Sequence, residues 1–212
     1  MIKEFCAENF TEIEEAIKHG ARRIELCDNL AVGGTTPSVG VIQYTLAVAA
    51  KYHVPVMVMV RPRGGDFVYT AEEFDIMKRD LKEISDLNAD GAVFGCLTED
   101  GRINRLQTAE LIKRSGEMET VFHMAFDEIH PDDRLKDLKW LIDQGVTRVL
   151  THGGIGGSIF DHEKELHEIL KYAQGRIEIL LGGGVTYENE AEILKIFDVD
   201  QLHGTRIVPL DK

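Results

Sequence analysis

The chain has 212 residues, 43% hydrophobic and 29% charged, a composition that fits one water-soluble globular domain with a single large core. Its net charge of −13 argues against a nucleic-acid partner, because phosphate binding needs clustered Lys and Arg. No apolar run approaches the roughly 20 residues of a bilayer span, and the opening MIKEFCAENF has no long apolar stretch of the signal-peptide kind.

Short β-rich runs recur along the chain, each followed by a longer amphipathic stretch. Strands are predicted near 2–7, 22–28, 55–61, 91–97, 119–126, 147–152, 176–182 and 201–206. After the first, FTEIEEAIKHG sets Ile13, Ala16 and Ile17 on one helical face and stops at Gly20. After the second, Ser38 is placed to cap the helix VGVIQYTLAVAA. AEEFDIMKRDLKEISDL carries Phe74, Met77, Leu81 and Ile84 at spacings of three and four. Pro131, Asp132 and Asp133 open a later helix, where acidic residues suit the N-terminal dipole, and its apolar face is Leu135, Leu138, Leu141 and Ile142. About eight such units in one chain predict a single-domain parallel (β/α)8 barrel of the TIM type over residues 1–212. An open doubly wound sheet is disfavoured, since no GxGxxG joins the first strand to the first helix. Only IVPLDK follows the last strand, so the final helix is missing or very short. That predicts uncovered apolar surface on the last and first strands, and with it a homodimer or larger homo-oligomer.

Alternation along the strands sorts their side chains. Glu4, Cys6, Glu25 and Cys27 are expected to face into the barrel, with Arg61, Glu178 and His203 from later strands. In TVFHMAFD, Val121, His123, Ala125 and Asp127 should face in and Phe122, Met124 and Phe126 should face the helices. So many ionisable groups must either pair as a salt-bridged plug or line a solvated pocket mouth. Barrel sites form where strands end, and Asp28, Arg61, Arg63, Asp66 and Asp127 sit at such ends.

IELCDNLAVGGTTPS (24–38), VRPRGGDFVYT (60–70), FHMAFD with LTHGG, and LLGGGV followed by LHGTR occur in this order. In order and spacing they resemble the copper homeostasis protein CutC family, from the first strand almost to the C-terminus. The resemblance implies a barrel fold, a cytoplasmic location and a part in copper handling, without implying a reaction. Met124 stands where the family pattern leads one to expect Arg, and His152 where it leads one to expect Ser.

Three cysteines, Cys6, Cys27 and Cys96, with no secretion signal read as reduced thiols of the cytoplasm. Cuprous ion prefers soft ligands and often takes only two or three. Glu4-Phe5-Cys6 and Glu25-Leu26-Cys27 repeat a Glu-x-Cys one βα unit apart (27 − 6 = 21 residues), so both thiols could meet one linear Cu(I). The resemblance places the suggested copper-binding cysteines at these same positions. Met57 and Met59 could add thioethers but read more readily as core, and no CxxC or HxxxH spacing supports a four-ligand zinc site.

The competing reading is a barrel enzyme for a small phosphate- or carboxylate-bearing metabolite. Arg61 and Arg63 offer guanidinium forks, while Gly183, Gly184 and His203 lie where barrels commonly bind phosphate. His123 is the candidate acid–base, oriented by Glu25 or Asp127. Asp66 and Tyr69 fall in a long loop suited to a lid.

Overall fold

The computed structural model describes residues 1–210. Eight strands alternate with seven helices: β1 (Ile2–Glu8), α1 (Ile13–Lys18), β2 (Arg23–Cys27), α2 (Val39–Ala50), β3 (Val56–Met59), α3 (Ala71–Asp86), β4 (Gly91–Phe94), α4 (Arg105–Ser115), β5 (Glu119–Phe122), α5 (Pro131–Asp143), β6 (Arg148–Thr151), α6 (Glu163–Ala173), β7 (Glu178–Leu181), α7 (Glu190–Ile196) and β8 (Gln201–Gly204). Every strand pairs in parallel with its sequence neighbour, and β8 returns to β1, closing the barrel. The predicted (β/α)8 architecture is thus observed. No helix among the described residues is long and apolar enough to cross a membrane.

Local chemistry sets the element boundaries. Ser38 caps α2 by accepting from the Val41 N–H, as its position implied. Thr70 and Glu73 form a reciprocal capping box at α3, whose buried face is Met77, Leu81 and Ile84. Pro131 opens α5, where the missing N–H costs no helical bond.

Pleat alternation divides the core in two. Ile24, Leu26, Val56, Val58 and Phe122 pack outward under the helices. Cys6, Cys27, Met57, Met59, Val93, Val121, Leu150 and Leu180 fill the barrel interior. The run VPVMVMV (54–60), apolar at every position, therefore lies with its valines out and both methionines in.

Two expectations are corrected. β5 ends at Phe122, and residues Met124–Glu128 form a 3-10 turn capped by His123, whose Nδ1 accepts from the Ala125 N–H. The period-two argument stops where the strand does, so Met124 packs against the interior cluster and Ala125 joins the outer one. The second correction concerns the flank of β8. No helix follows β8 among the described residues, yet Phe5 and Leu202 are buried at 3% and 0% exposure. Ile207 and Val208 fold back into the same outer cluster, and the Tyr187 N–H donates to the Arg206 carbonyl. A short apolar tail does the covering that a helix would do, so that among the described residues the outward-facing Phe5 and Leu202 of β1 and β8 are not left open.

Candidate functional site

At the N-terminal end of the barrel, the first residues of several strands converge on its axis. Arg23 pairs with Glu4 and donates to Gln201 Oε1 at 2.7 Å. Arg148 reaches Glu178 at 2.7 Å, Glu119 at 3.0 Å and Gln201 at 3.1 Å. This is a salt-bridged plug, and Glu178 belongs to it. The sequence reading missed Arg23, Arg148 and Gln201, because charges at strand starts resemble ordinary flanks. Their positions two residues before Glu25, Leu150 and His203 carried the inward parity.

One layer above, β1, β2 and β8 bring together Cys6, Glu25, Cys27 and His203. Both thiols donate to the same oxygen, Glu25 Oε2, at 3.3 Å from Cys6 Sγ and 3.6 Å from Cys27 Sγ. The ligand atoms of Cys6, Glu25 and Cys27 all lie within 4.8 Å of one another, as do those of Glu4, Glu25 and His203. His203 hydrogen-bonds Glu4 Oε1 through Nδ1 at 2.8 Å and turns Nε2 toward Glu25 Oε2 at 3.7 Å. Glu25 is 3% exposed, and its other oxygen, Oε1, has no hydrogen-bond partner. A buried carboxylate oxygen without a donor is costly, which marks a position suited to a cation.

The cluster shares its protons. Burial, assisted by the neighbouring Cys6 and Glu4, pushes Glu25 well above the usual carboxylate range against the pull of His203. The hydrogen bond from Cys27, with His203 close by, holds Cys6 well below the ordinary thiol value, and the same bond raises Cys27. Burial opposes charge on His203, but Glu25, Cys6 and Glu4 together raise it. Burial also works to raise Glu4, yet His203 and Arg23 bring it down to about 2. Cys96 is different: it lies in the outer core, where burial raises its thiol to about 12.

Access comes from the C-terminal face. A cavity of about 460 Å³, lined by Cys6, Glu8, Asp28, Leu30 and Thr205 among others, reaches the cluster at Cys6. The GGTTPS loop closes its other side. Gly34 has φ +88°, and a Cβ there would lie 3.0 Å from Cys27 Sγ, so glycine is needed both for the turn and for the approach.

The residues expected to bind an anion are spread apart. Arg61 gives its Nη1 to the carbonyls of Val32 and Gly34 and its Nη2 to that of Gly65, with Phe67 stacked at 4.7 Å. Arg63 is engaged by Glu73, Asp66 and the Val68 carbonyl. With Tyr69 buried at 6% exposure, this loop is strapped down over the barrel mouth. Gly183 packs under His152, where a Cβ would lie 2.5 Å from the His152 Cβ, and the Gly184 carbonyl accepts from Asn189. His203 sits between two carboxylates.

The imidazole–carboxylate pairs also differ from expectation. His123 touches neither Glu25 nor Asp127; it packs 4.8 Å from the Phe67 ring, and burial brings it down to about 3. The imidazole beside Asp127 is that of His152, with Nδ1 2.8 Å from Oδ2, and the Asp127 carboxylate raises it. Asp127 also accepts from Thr151 Oγ1 and from the His152 and Gly153 N–H groups. His152 had been noted only as a departure from a family pattern. The signal for its role was its place at the end of β6, beside the end of β5.

The comparisons agree with this construction. The model of the CutC family matches residues 1–208. Family protein CutC of Enterococcus faecalis is 52% identical over 209 residues, 98% of this chain and 100% of that protein. The human copper homeostasis protein cutC homolog is 39% identical over 202 residues, 95% of this chain and 72% of its own. A crystal structure of a protein from Streptococcus agalactiae, named there as copper homeostasis protein CutC, superposes with a TM-score of 0.94 at 43% identity, covering 98% of this chain and 100% of that one. With the motifs in order, the barrel closed and the match running through almost every described residue, the chain belongs to the CutC family.

Proposed function

We propose that this protein binds Cu(I) through Cys6 and Cys27 and serves copper homeostasis in the cytoplasm. The observation that carries the reading is the convergence of two buried thiols, both within 4.8 Å of Glu25 and of each other, so that one ion could meet both sulfurs. Soft thiolates are the preferred donors for cuprous ion, and two suffice. The lowered Cys6 thiol supplies a thiolate readily, and the cavity above it gives an ion a path. Met57 and Met59 line the same interior and add soft surface around the ion. The names of the human and streptococcal relatives point the same way.

An enzymatic reading retains one specific support, the Asp127–His152 pair at the C-terminal end of the barrel, next to the Gly183 turn. It would act on a small anionic metabolite. The occupied guanidinium groups of Arg61 and Arg63 leave that anion fewer free donors than the sequence implied.

An anaerobic Cu(I) competition titration against a chelator of known affinity separates the two. Wild type should hold one copper, and the Cys6→Ser, Cys27→Ser double variant should release it. Equal failure of both proteins removes copper from the function and turns attention to phosphorylated and carboxylated ligands near His152.

A further inference from the structure

We infer that the cluster is a four-donor site, made of Cys6 Sγ, Cys27 Sγ, His203 Nε2 and the Glu25 carboxylate, that takes a borderline divalent cation of the zinc class. The inference rests on the same residues as the Cu(I) reading but assigns them further ligands and a second class of metal.

Two features exceed what linear Cu(I) requires. The first is the imidazole. Its Nδ1 is committed to Glu4 at 2.8 Å, and Glu4 is in turn held by Arg23 one layer down. That fixes the ring and leaves Nε2 facing Glu25 and the thiol layer, where an ion would replace its proton. A carboxylate behind a histidine, orienting it and raising its basicity, is the usual support of a metal-bound imidazole. The second is Glu25, buried between the thiols with a spare oxygen. A two-thiolate site for a monovalent ion has no use for either group.

The spacing fits as well. Around Glu25 Oε2, Cys6 Sγ lies at 3.3 Å, Cys27 Sγ at 3.6 Å and His203 Nε2 at 3.7 Å. Tetrahedral bonds of about 2.3 Å to sulfur and about 2.0 Å to nitrogen or oxygen set donor–donor edges of roughly 3.3–3.8 Å. The three separations from Glu25 fall in that range, and Glu25 is the residue shared by two overlapping groups, Cys6–Glu25–Cys27 and Glu4–Glu25–His203, so an ion would draw the imidazole toward the thiols. Charge balance points in the same direction. Loss of both thiol protons, the His203 Nε2 proton and the proton of Glu25 to water leaves two thiolates, a carboxylate and a neutral imidazole, which a divalent ion neutralises better than a monovalent one. Beneath them Arg23 already compensates Glu4. The sequence hid this set because its donors come from three strands, β1, β2 and β8, which become neighbours only when the barrel closes.

The test is anaerobic titration of the whole protein with Co²⁺, followed by visible absorption and then by displacement with Zn²⁺. The expected result is one Co²⁺ with intense tetrahedral d–d bands and a thiolate charge-transfer band, both bleached by Zn²⁺. The His203→Gln variant should lose the tetrahedral spectrum and weaken Co²⁺ by more than the ~10–100-fold that removal of an outer partner costs. Its far-ultraviolet circular dichroism and thermal unfolding should match the wild type, which shows that the variant is folded. Cys6→Ser should weaken the charge-transfer band, and the Cys6→Ser, Cys27→Ser double variant should lose it. A wild type that holds Cu(I) but gives no thiolate–cobalt band overturns this inference and leaves the copper reading standing. Cobalt binding without Cu(I) binding does the reverse. A weak octahedral spectrum, or a tetrahedral one unchanged in His203→Gln, overturns the four-donor assignment.

Discussion

Glu25 and His123 show how burial sends two ionisable side chains of one barrel to different fates. Glu25 is surrounded by groups that can exchange protons or a cation with it, whereas His123 is enclosed by Phe67, Phe122 and its own turn. His123 is therefore neutral in the folded protein, brought from an ordinary 6.5 down to about 3. The unfolded chain takes up its proton below about 6.5 and the folded one does not, so this contribution to stability is complete above that pH. It is lost at about 1.4 kcal/mol per pH unit as the pH falls toward 3. Urea unfolding of wild type and His123→Leu should show the wild type losing about 2 kcal/mol more between about pH 7 and about pH 5. Parallel losses would mean that His123 is protonated in the fold. Residues on regular strands were legible from the sequence: Glu4, Cys6, Glu25 and Cys27 point where alternation put them. His123, Met124 and Asp127 lie just past the end of β5, where no period applies, and their partners could not be read in advance.

The loop from Val60 to Thr70 is the element in which sequence motif and structure differ most. RPRGGDF reads as an anion-binding or lid segment, yet Arg63 spends its donors on Glu73, Asp66 and loop carbonyls, tying the loop to the first turn of α3. Glu73 has two duties, closing the capping box with Thr70 and holding Arg63. Thr70→Ala should cost about 1 kcal/mol as a lost cap and little more. Glu73→Ala should lose both, and hydrogen–deuterium exchange should speed up through residues 63–69 beyond the change seen in Thr70→Ala. Equal exchange in the two variants would show that Arg63 does not restrain the loop. An arginine next to glycines signals backbone-carbonyl binding as well as anion binding, and the sequence does not say which will be within reach.

Across the whole molecule, the barrel axis is layered, with a salt-bridged plug at the N-terminal end, the thiol cluster above it and strapped loops at the mouth. The plug is uneven. Glu4 is 2% exposed in its side chain, whereas Glu119 and Glu178 are 47% and 48% exposed. Removing Arg23 leaves the buried Glu4 carboxylate with His203 as its one remaining charged partner, so Arg23→Met should cost about 3 kcal/mol in chemical denaturation, at the low end for a broken buried pair. Arg148→Met should cost clearly less, since its two glutamates can turn to water; equal costs would show that Glu4 finds another cation. The sequence by itself determined the family, the alternation of strand and helix and hence the barrel, and the inward direction of both Glu-x-Cys pairs, because these follow from local period and composition. Only the tertiary structure decided which charges plug the barrel and which gather around the thiols, that His203 shares Glu25 with the cysteines, that His152 takes the partner expected for His123, and that Ile207 and Val208 replace a helix. Each of these depends on contacts between residues far apart in the chain, formed only once β8 lies against β1 and the loops after neighbouring strands meet.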